Sequence, residues 1–248
     1  MKLFLHQLRN EQLLFWRSRE AAVFVFLFPV LLFLLLGTVY DGTYHGHPLA
    51  DYLVAGLLGY GAANTAFGGL AITLVLRREQ GVLKRIRATP LPSAVYLAGV
   101  LASILGVFAI QAVLLVFLGR VVFDAELPQR SFSLAATLGV GALSFAALGV
   151  ALSTLIRSAE GASAVVNVVI LPMTFLSGGF GPTRSYPRIL RALSEALPLK
   201  HLIDAVAGIY LDHEPVWEQR WALLVVLGWG VIGLVVAFRA FRWEPREG

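Results

Sequence analysis

Ala21-Ala22-Val23-Phe24-Val25-Phe26-Leu27-Phe28-Pro29-Val30-Leu31-Leu32-Phe33-Leu34-Leu35-Leu36 holds no charged side chain, and the apolar run continues almost unbroken to Tyr40. A helix of about 20 such residues is roughly 30 Å long, which matches the hydrocarbon thickness of a bilayer. Arg17 and Arg19 precede the run as they would in a secretory signal. The run is longer than a usual signal core, however, and no small-x-small cleavage pattern follows it, so it reads as a retained membrane span.

Five comparable runs follow: Tyr52 to Leu76, Ala94 to Gly119, Phe132 to Ile156, Ala162 to Phe180 and Trp221 to Phe238. With 21–40 they make six, and the expected fold is an all-α polytopic membrane protein, a single transmembrane domain over 1–248. The composition agrees, because 58% hydrophobic and 14% charged residues exceed what a soluble core can bury. The run at 52–76 is rich in Gly and Ala and carries Asn64, the pattern of a helix packed inside a bundle. The net charge of +5 sits between apolar runs rather than on a polar, aromatic-studded surface, which argues against nucleic acid as a partner. There is no cysteine, so no disulfide and no thiolate-bound metal.

Basic residues set the expected orientation. With the N-terminus inside, Lys2, Arg9, Arg17, Arg19, Arg77, Arg78, Lys84, Arg85, Arg87, Arg157, Arg239, Arg242 and Arg246 fall on one side, the larger share of the 20. Arg120, Arg130, Arg184, Arg188, Arg191, Lys200 and Arg220 fall on the other. Both termini are therefore expected in the cytoplasm, in a cell membrane of bacterial, inner-membrane type.

Three segments outside the spans have patterns of their own. In 1–19, Phe4, Leu5, Leu8, Phe15 and Trp16 share one helical face opposite His6, Asn10 and Arg17, as in a helix lying in the membrane interface and contacting its lipids. In 77–92, Val82, Leu83 and Ile86 are spaced three and four apart, so a short cytoplasmic helix beginning at Val82 carries a small apolar patch edged by Lys84, Arg85 and Arg87. Pro90 and Pro92 end it. In 181–220, Ile189, Leu190, Leu193 and Leu197 form one stripe and Leu202, Ile203, Val206 and Ile209 another, with Pro198 between them. Two short external helices that re-enter the membrane without crossing it are expected there. A seventh span would place Lys200, His201 and Asp204 in hydrocarbon, at a few kcal/mol for each charge.

Chemistry-bearing motifs are sparse. No Gly-x-x-x-x-Gly-Lys-Ser/Thr phosphate loop occurs, so the chain has no ATPase site of that kind and is read as no enzyme in its own right. His45-x-His47 has only Asp41 and Asp51 nearby at loose spacing, and reads as a solvated loop rather than a metal site. Asp204, His201 and His213 lack a serine in nucleophile-elbow context. No run has an Asp or Glu in its interior, against an ion-coupled carrier. Among polar residues within the runs, Asn64, Thr65, Gln111, Asn167 and Thr174 are candidates for a substrate path, and hydrogen bonding between helices accounts for them equally well.

Three stretches together resemble the membrane subunits of type-2 ABC transporters: Phe28-Pro29-Val30 after a basic entry, Arg78 to Leu91, and Pro172 to Gly179 followed by Leu197-Pro198-Leu199. The resemblance covers nearly the whole chain. It implies an ATP-driven exporter in which Arg78, Glu79, Gly81, Val82, Leu83, Arg85, Ile86 and Arg87 couple the permease to a cytoplasmic ABC ATPase. It further implies two ATPase copies, which bind the ATP and Mg while this chain holds no cofactor, and a second permease copy or close relative. Such exporters move drugs, lipids or glycans. The family commonly begins this segment acidic-basic-acidic, whereas Arg77-Arg78-Glu79 keeps one acid, which leaves the ion-pair partner of Arg77 to be found. The rival readings are an ion-coupled secondary transporter and a non-transporting membrane scaffold.

Overall fold

The computed structural model describes residues 1–39, 42–44, 46–181, 183 and 186–241. Among these it is all-α apart from a two-residue hairpin, β1 (Thr43–Tyr44) with β2 (His47–Pro48). The helices are α1 (Lys2–Arg17), α2 (Arg19–Val39), α3 (Leu49–Ala62), α4 (Leu70–Glu79), α5 (Val82–Arg87), α6 (Ser93–Phe123), α7 (Ser131–Leu155), α8 (Ala159–Ser177), α9 (Arg188–Glu195), α10 (Pro198–Tyr210) and α11 (Arg220–Ala240). A π-helical stretch, Ala63–Gly69, joins α3 to α4 without a break, so Leu49–Glu79 is one rod. Among the described residues, that rod and α2, α6, α7, α8 and α11 are the six helices long and apolar enough to cross a membrane.

The rod is the axis of the bundle. Small side chains let its neighbours approach to backbone contact: a Cβ added at Gly149 of α7 would lie 2.5 Å from the Phe67 carbonyl oxygen in the π stretch. At the other end of the rod, a Cβ at Gly56 would lie 2.8 Å from the Gly179 carbonyl oxygen after α8. Between helices in lipid such close packing stands in for a hydrophobic driving force, since side chains are no more apolar than acyl tails. By contrast α2, α8 and α11 bury one stripe each and expose large apolar residues, among them Leu35, Val168, Phe175 and Phe238. Ala142, Ala146 and Gly233, small residues suited to contact between subunits, are spent inside the chain on the α7–α11 packing and the core.

Three expectations need correction. The second span begins at Leu49 rather than Tyr52, which brings Asp51 into its first turn, fully buried and accepting the Glu126 backbone N–H at 3.1 Å. An acid there is favoured by the helix N-terminus as well as by that bond. The apolar face of α1 divides: Phe4, Leu8 and Phe15 turn partly inward beside Gln7 and buried Glu11, while Leu5 and Trp16 stay exposed. The helix packs on α6, so its inner stripe is chosen by what α6 offers rather than by hydropathy alone. The stripe of α9 faces outward, whereas Leu202, Ile203, Val206 and Ile209 of α10 are completely buried against the bundle. Tyr40, Asp41, His45, Arg184, Ser185, Arg242 and Arg246 lie outside the described residues.

Gly149→Ala should destabilise the purified protein by about 1–3 kcal/mol through overpacking against the rod. Gly139→Ala, ten residues earlier on α7 with nothing within 4 Å of its Cβ, should be neutral or slightly stabilising. Thermal unfolding in detergent compares the two.

Candidate functional site

The basic end of the bundle gathers the sequence signals of 77–92. Arg77 donates Nη1 to Glu11 Oε1 at 2.8 Å and Nη2 to Glu11 Oε2 at 2.6 Å, a bidentate pair between the rod and α1. A third bond runs from Arg77 Nη1 to the Tyr96 hydroxyl on α6 at 2.7 Å. Glu11, the acid missing from the local motif, comes from sixty-six residues earlier in the chain. No spacing rule predicts that pairing. The one available signal was an acid on the otherwise apolar side of an amphipathic helix.

Arg78 turns the other way. It is buried and donates to the Ser153 carbonyl at 2.9 Å and the Ile156 carbonyl at 2.5 Å, capping the C-terminal turn of α7. Those carbonyls are among the last of the helix and lack intrahelical partners, so a cation there is doubly favoured. Glu79 accepts the Ala159 backbone N–H at the start of α8. Three consecutive residues thus hold three different parts of the bundle.

Gln80 and Gly81 then turn the chain into α5. Gly81 has φ of 69°, the left-handed region that a side chain disfavours. Of the expected apolar patch, Leu83 is completely buried in this chain's own core, with Ile86 partly buried against it and Val82 half-buried. Leu83, expected among the residues that couple to the ATPase, anchors α5 to its own bundle instead of presenting an apolar surface outward. What α5 offers outward is Lys84, Arg85 and Arg87, all exposed, followed by exposed Thr89 and Pro90.

The intramembrane candidates separate by partner. Thr65 donates its hydroxyl to Gln111 Oε1 at 3.0 Å, and Gln111 Nε2 donates to the Val25 carbonyl at 3.1 Å. Pro29 has no N–H to give Val25 its helical bond, so the Gln111 side chain on α6 fills the gap that Pro29 opens in α2. Thr174 bonds back to the Ile170 carbonyl in its own helix at 2.8 Å, and Asn167 lies on the exposed side of α8. Asn64 lines a cleft between α1, α2, α6 and the rod. These five are not brought together.

At the opposite end, the three residues weighed as a hydrolytic set are engaged separately. His201 meets the Glu195 carbonyl at 2.9 Å, Asp204 pairs with Lys200, and His213 lies 3.7 Å from Glu126. His47 is 3.3 Å from Asp212. Tyr210 donates to the Glu126 carbonyl at 2.5 Å, and burial pushes its phenol pKa up, so it stays a donor.

Comparison with known proteins gives the family. The model of the ABC-2 type transporter family matches residues 2–211, from α1 through α10. The chain belongs to the ABC-2 type transporter family. The probable multidrug ABC transporter permease YbhR of Escherichia coli is similar, 28% identical over 163 residues, which is 63% of this chain and 43% of YbhR. The putative transport permease YvfS of Bacillus subtilis is 27% identical over 162 residues, 64% of each. Nodulation protein J of Rhizobium leguminosarum is 35% identical over 71 residues, 29% of this chain and 27% of that protein. The matched region thus spans less than half of YbhR and somewhat under two thirds of YvfS.

Glu11→Ala should destabilise the protein by about 3–5 kcal/mol, because it strands the mostly buried Arg77 guanidinium. A Glu11→Leu, Arg77→Met double variant should recover most of that loss, and denaturant titration of the single and double variants measures the coupling. In the same assay Gln111→Leu should cost about 1–3 kcal/mol by leaving the Val25 carbonyl unpaired. Adding Pro29→Ala, which returns the N–H, should rescue it in part. Failure of the proline substitution to help would separate the Gln111 effect from the α2 gap.

Proposed function

We propose that this chain is the transmembrane permease of an ATP-driven exporter, moving a drug, lipid or glycan-type substrate on energy supplied by a cytoplasmic ABC ATPase. ATP and Mg bind on that partner, in two copies, and a second permease or close relative completes the assembly. Family membership supports transport, and the similarity to YbhR, a probable multidrug ABC transporter permease, and YvfS, a putative transport permease, points the same way.

One observation carries the coupling. An exposed, triply basic helix, α5, is joined through Gln80 and Gly81 to a rod whose last three residues hold α1, α6, α7 and α8. Displacement of α5 reaches those helices without crossing any flexible connector, since Leu83 fixes α5 to the core. Cations at its outer edge suit an acidic surface on the ATPase better than an apolar groove. One such helix among the described residues suits one half of a two-ATPase assembly, which supports a second copy. The exposed apolar faces of α2 and α8 are available to a second permease or to lipid. With the basic end in the cytoplasm, both termini lie there too.

Reversal of charge at Lys84 and Arg87 (Lys84→Glu with Arg87→Glu) should leave membrane levels normal while cutting both ATPase co-purification and ATP-dependent export in vesicles by tenfold or more. Unchanged co-purification and export would remove α5 from the interface. In the same cysteine-free chain, Thr89→Cys should react with an impermeant maleimide only after the cells are opened, and Gln129→Cys should react in intact cells. The reverse pattern would invert the topology.

A further inference from the structure

The cleft between α1, α2, the rod and α6 has a volume of about 410 Å³, within the range of small-molecule sites. Its walls are mainly apolar, with Phe15, Phe24, Ile72 and Ile104 among them, and Glu11 and Arg77 also line it. Phe24 is more than half exposed, so the cleft opens on the lipid side of α2.

Its polar groups differ in how they are used. Glu11 and Arg77 neutralise each other through two bonds, and parting them inside the bundle would cost several kcal/mol. Thr65 is held by Gln111, and the Ser103 carbonyl accepts from Gln12. The Asn64 carboxamide and the Thr73 hydroxyl, both on the cleft wall, make no hydrogen bond among the described residues. An Asn at membrane depth without a partner is unfavourable, and a ligand group that pairs with it is correspondingly favoured. The π stretch that carries Asn64 re-aims the side chains of the rod at this level.

We propose that this cleft binds an uncharged amphiphile: an apolar body along α6 and the rod, with a hydrogen-bonding head that pairs with Asn64 and Thr73. Because Glu11 and Arg77, the charged residues on its wall among the described residues, satisfy each other, the site selects against a formal charge on the head. The inference concerns binding alone and holds whether or not the chain is driven by ATP.

The test uses the full chain in lipid nanodiscs without any ATPase. One probe is a monoacylglycerol bearing a diazirine in its chain, and the other is the acyl phosphate of the same chain length. Photocrosslinks from the monoacylglycerol should map to 14–25, 64–76 and 100–107, saturate, and be competed by unlabelled monoacylglycerol. The acyl phosphate should label these segments at least tenfold less. Asn64→Leu should lower the apparent affinity about tenfold, as loss of a buried hydrogen bond predicts. Ile104→Trp, which fills the cleft from α6 and leaves its polar groups in place, should abolish the saturable labelling. Labelling of the exposed face of α11 by bulk probe serves as the internal control for folding, and should be unchanged in both variants. Crosslinks that do not saturate, that fall only on exposed faces or in the largely apolar groove lined by Val113 and Phe117, or that ignore both substitutions would overturn the site. Equal labelling by the acyl phosphate would overturn its preference for an uncharged head.

Discussion

The bidentate bond between Arg77 and Glu11 decides how the N-terminal helix and the central rod sit together. Neither charge is tolerable alone at that depth, and each is mostly hidden from water by the other and by Tyr96. Once this pair ties α1 to the rod and α1 packs on α6, its remaining apolar residues, Leu5 and Trp16 among them, are left facing outward. Trp16 stacks on Phe26 with rings 5.6 Å apart, which sets the bend at Ser18 between α1 and α2. The entry of the chain into the first span is thus governed by a charge pair and closed by aromatic packing.

The same logic recurs along the rod. Hydrocarbon offers a backbone carbonyl no substitute partner, and two breaks in the helical ladders are matched by side chains from elsewhere. Gln111 answers Pro29, and Arg78 answers the open end of α7. These polar residues make the bundle's irregular backbone tolerable. It follows that polarity inside a span is a poor guide to a transport path unless the group is unspent, as Asn64 is.

The spans were legible because apolar length is a strong and local signal, and the Gly and Ala content of 52–76 correctly marked the most buried helix. The two short helices after α8 were legible from their stripes, since Pro198 divides them. What could not be read was direction. The periodicity of Val82, Leu83 and Ile86 gives a helix with an apolar side, but nothing in 77–92 tells whether that side faces a partner or the chain itself, and it faces the chain. The Glu11–Arg77 contact was hidden for a related reason, because long-range pairs leave no periodic trace. Asp51 was missed because the span begins three residues before Tyr52: an acid at the edge of an apolar run looks like its boundary until the helix is seen to begin before it.

Both ends of the rod are pinned. Asp51 is tied to the segment before α7 at one end, and Arg77, Arg78 and Glu79 are tied to α1, α7 and α8 at the other. Sliding the rod along its axis would break all of these bonds at once. A turn of a few degrees about the axis would share the distortion among long side chains, with the wider π stretch midway as the place where torsion is least costly. The geometry therefore makes this helix a torsion shaft and not a piston.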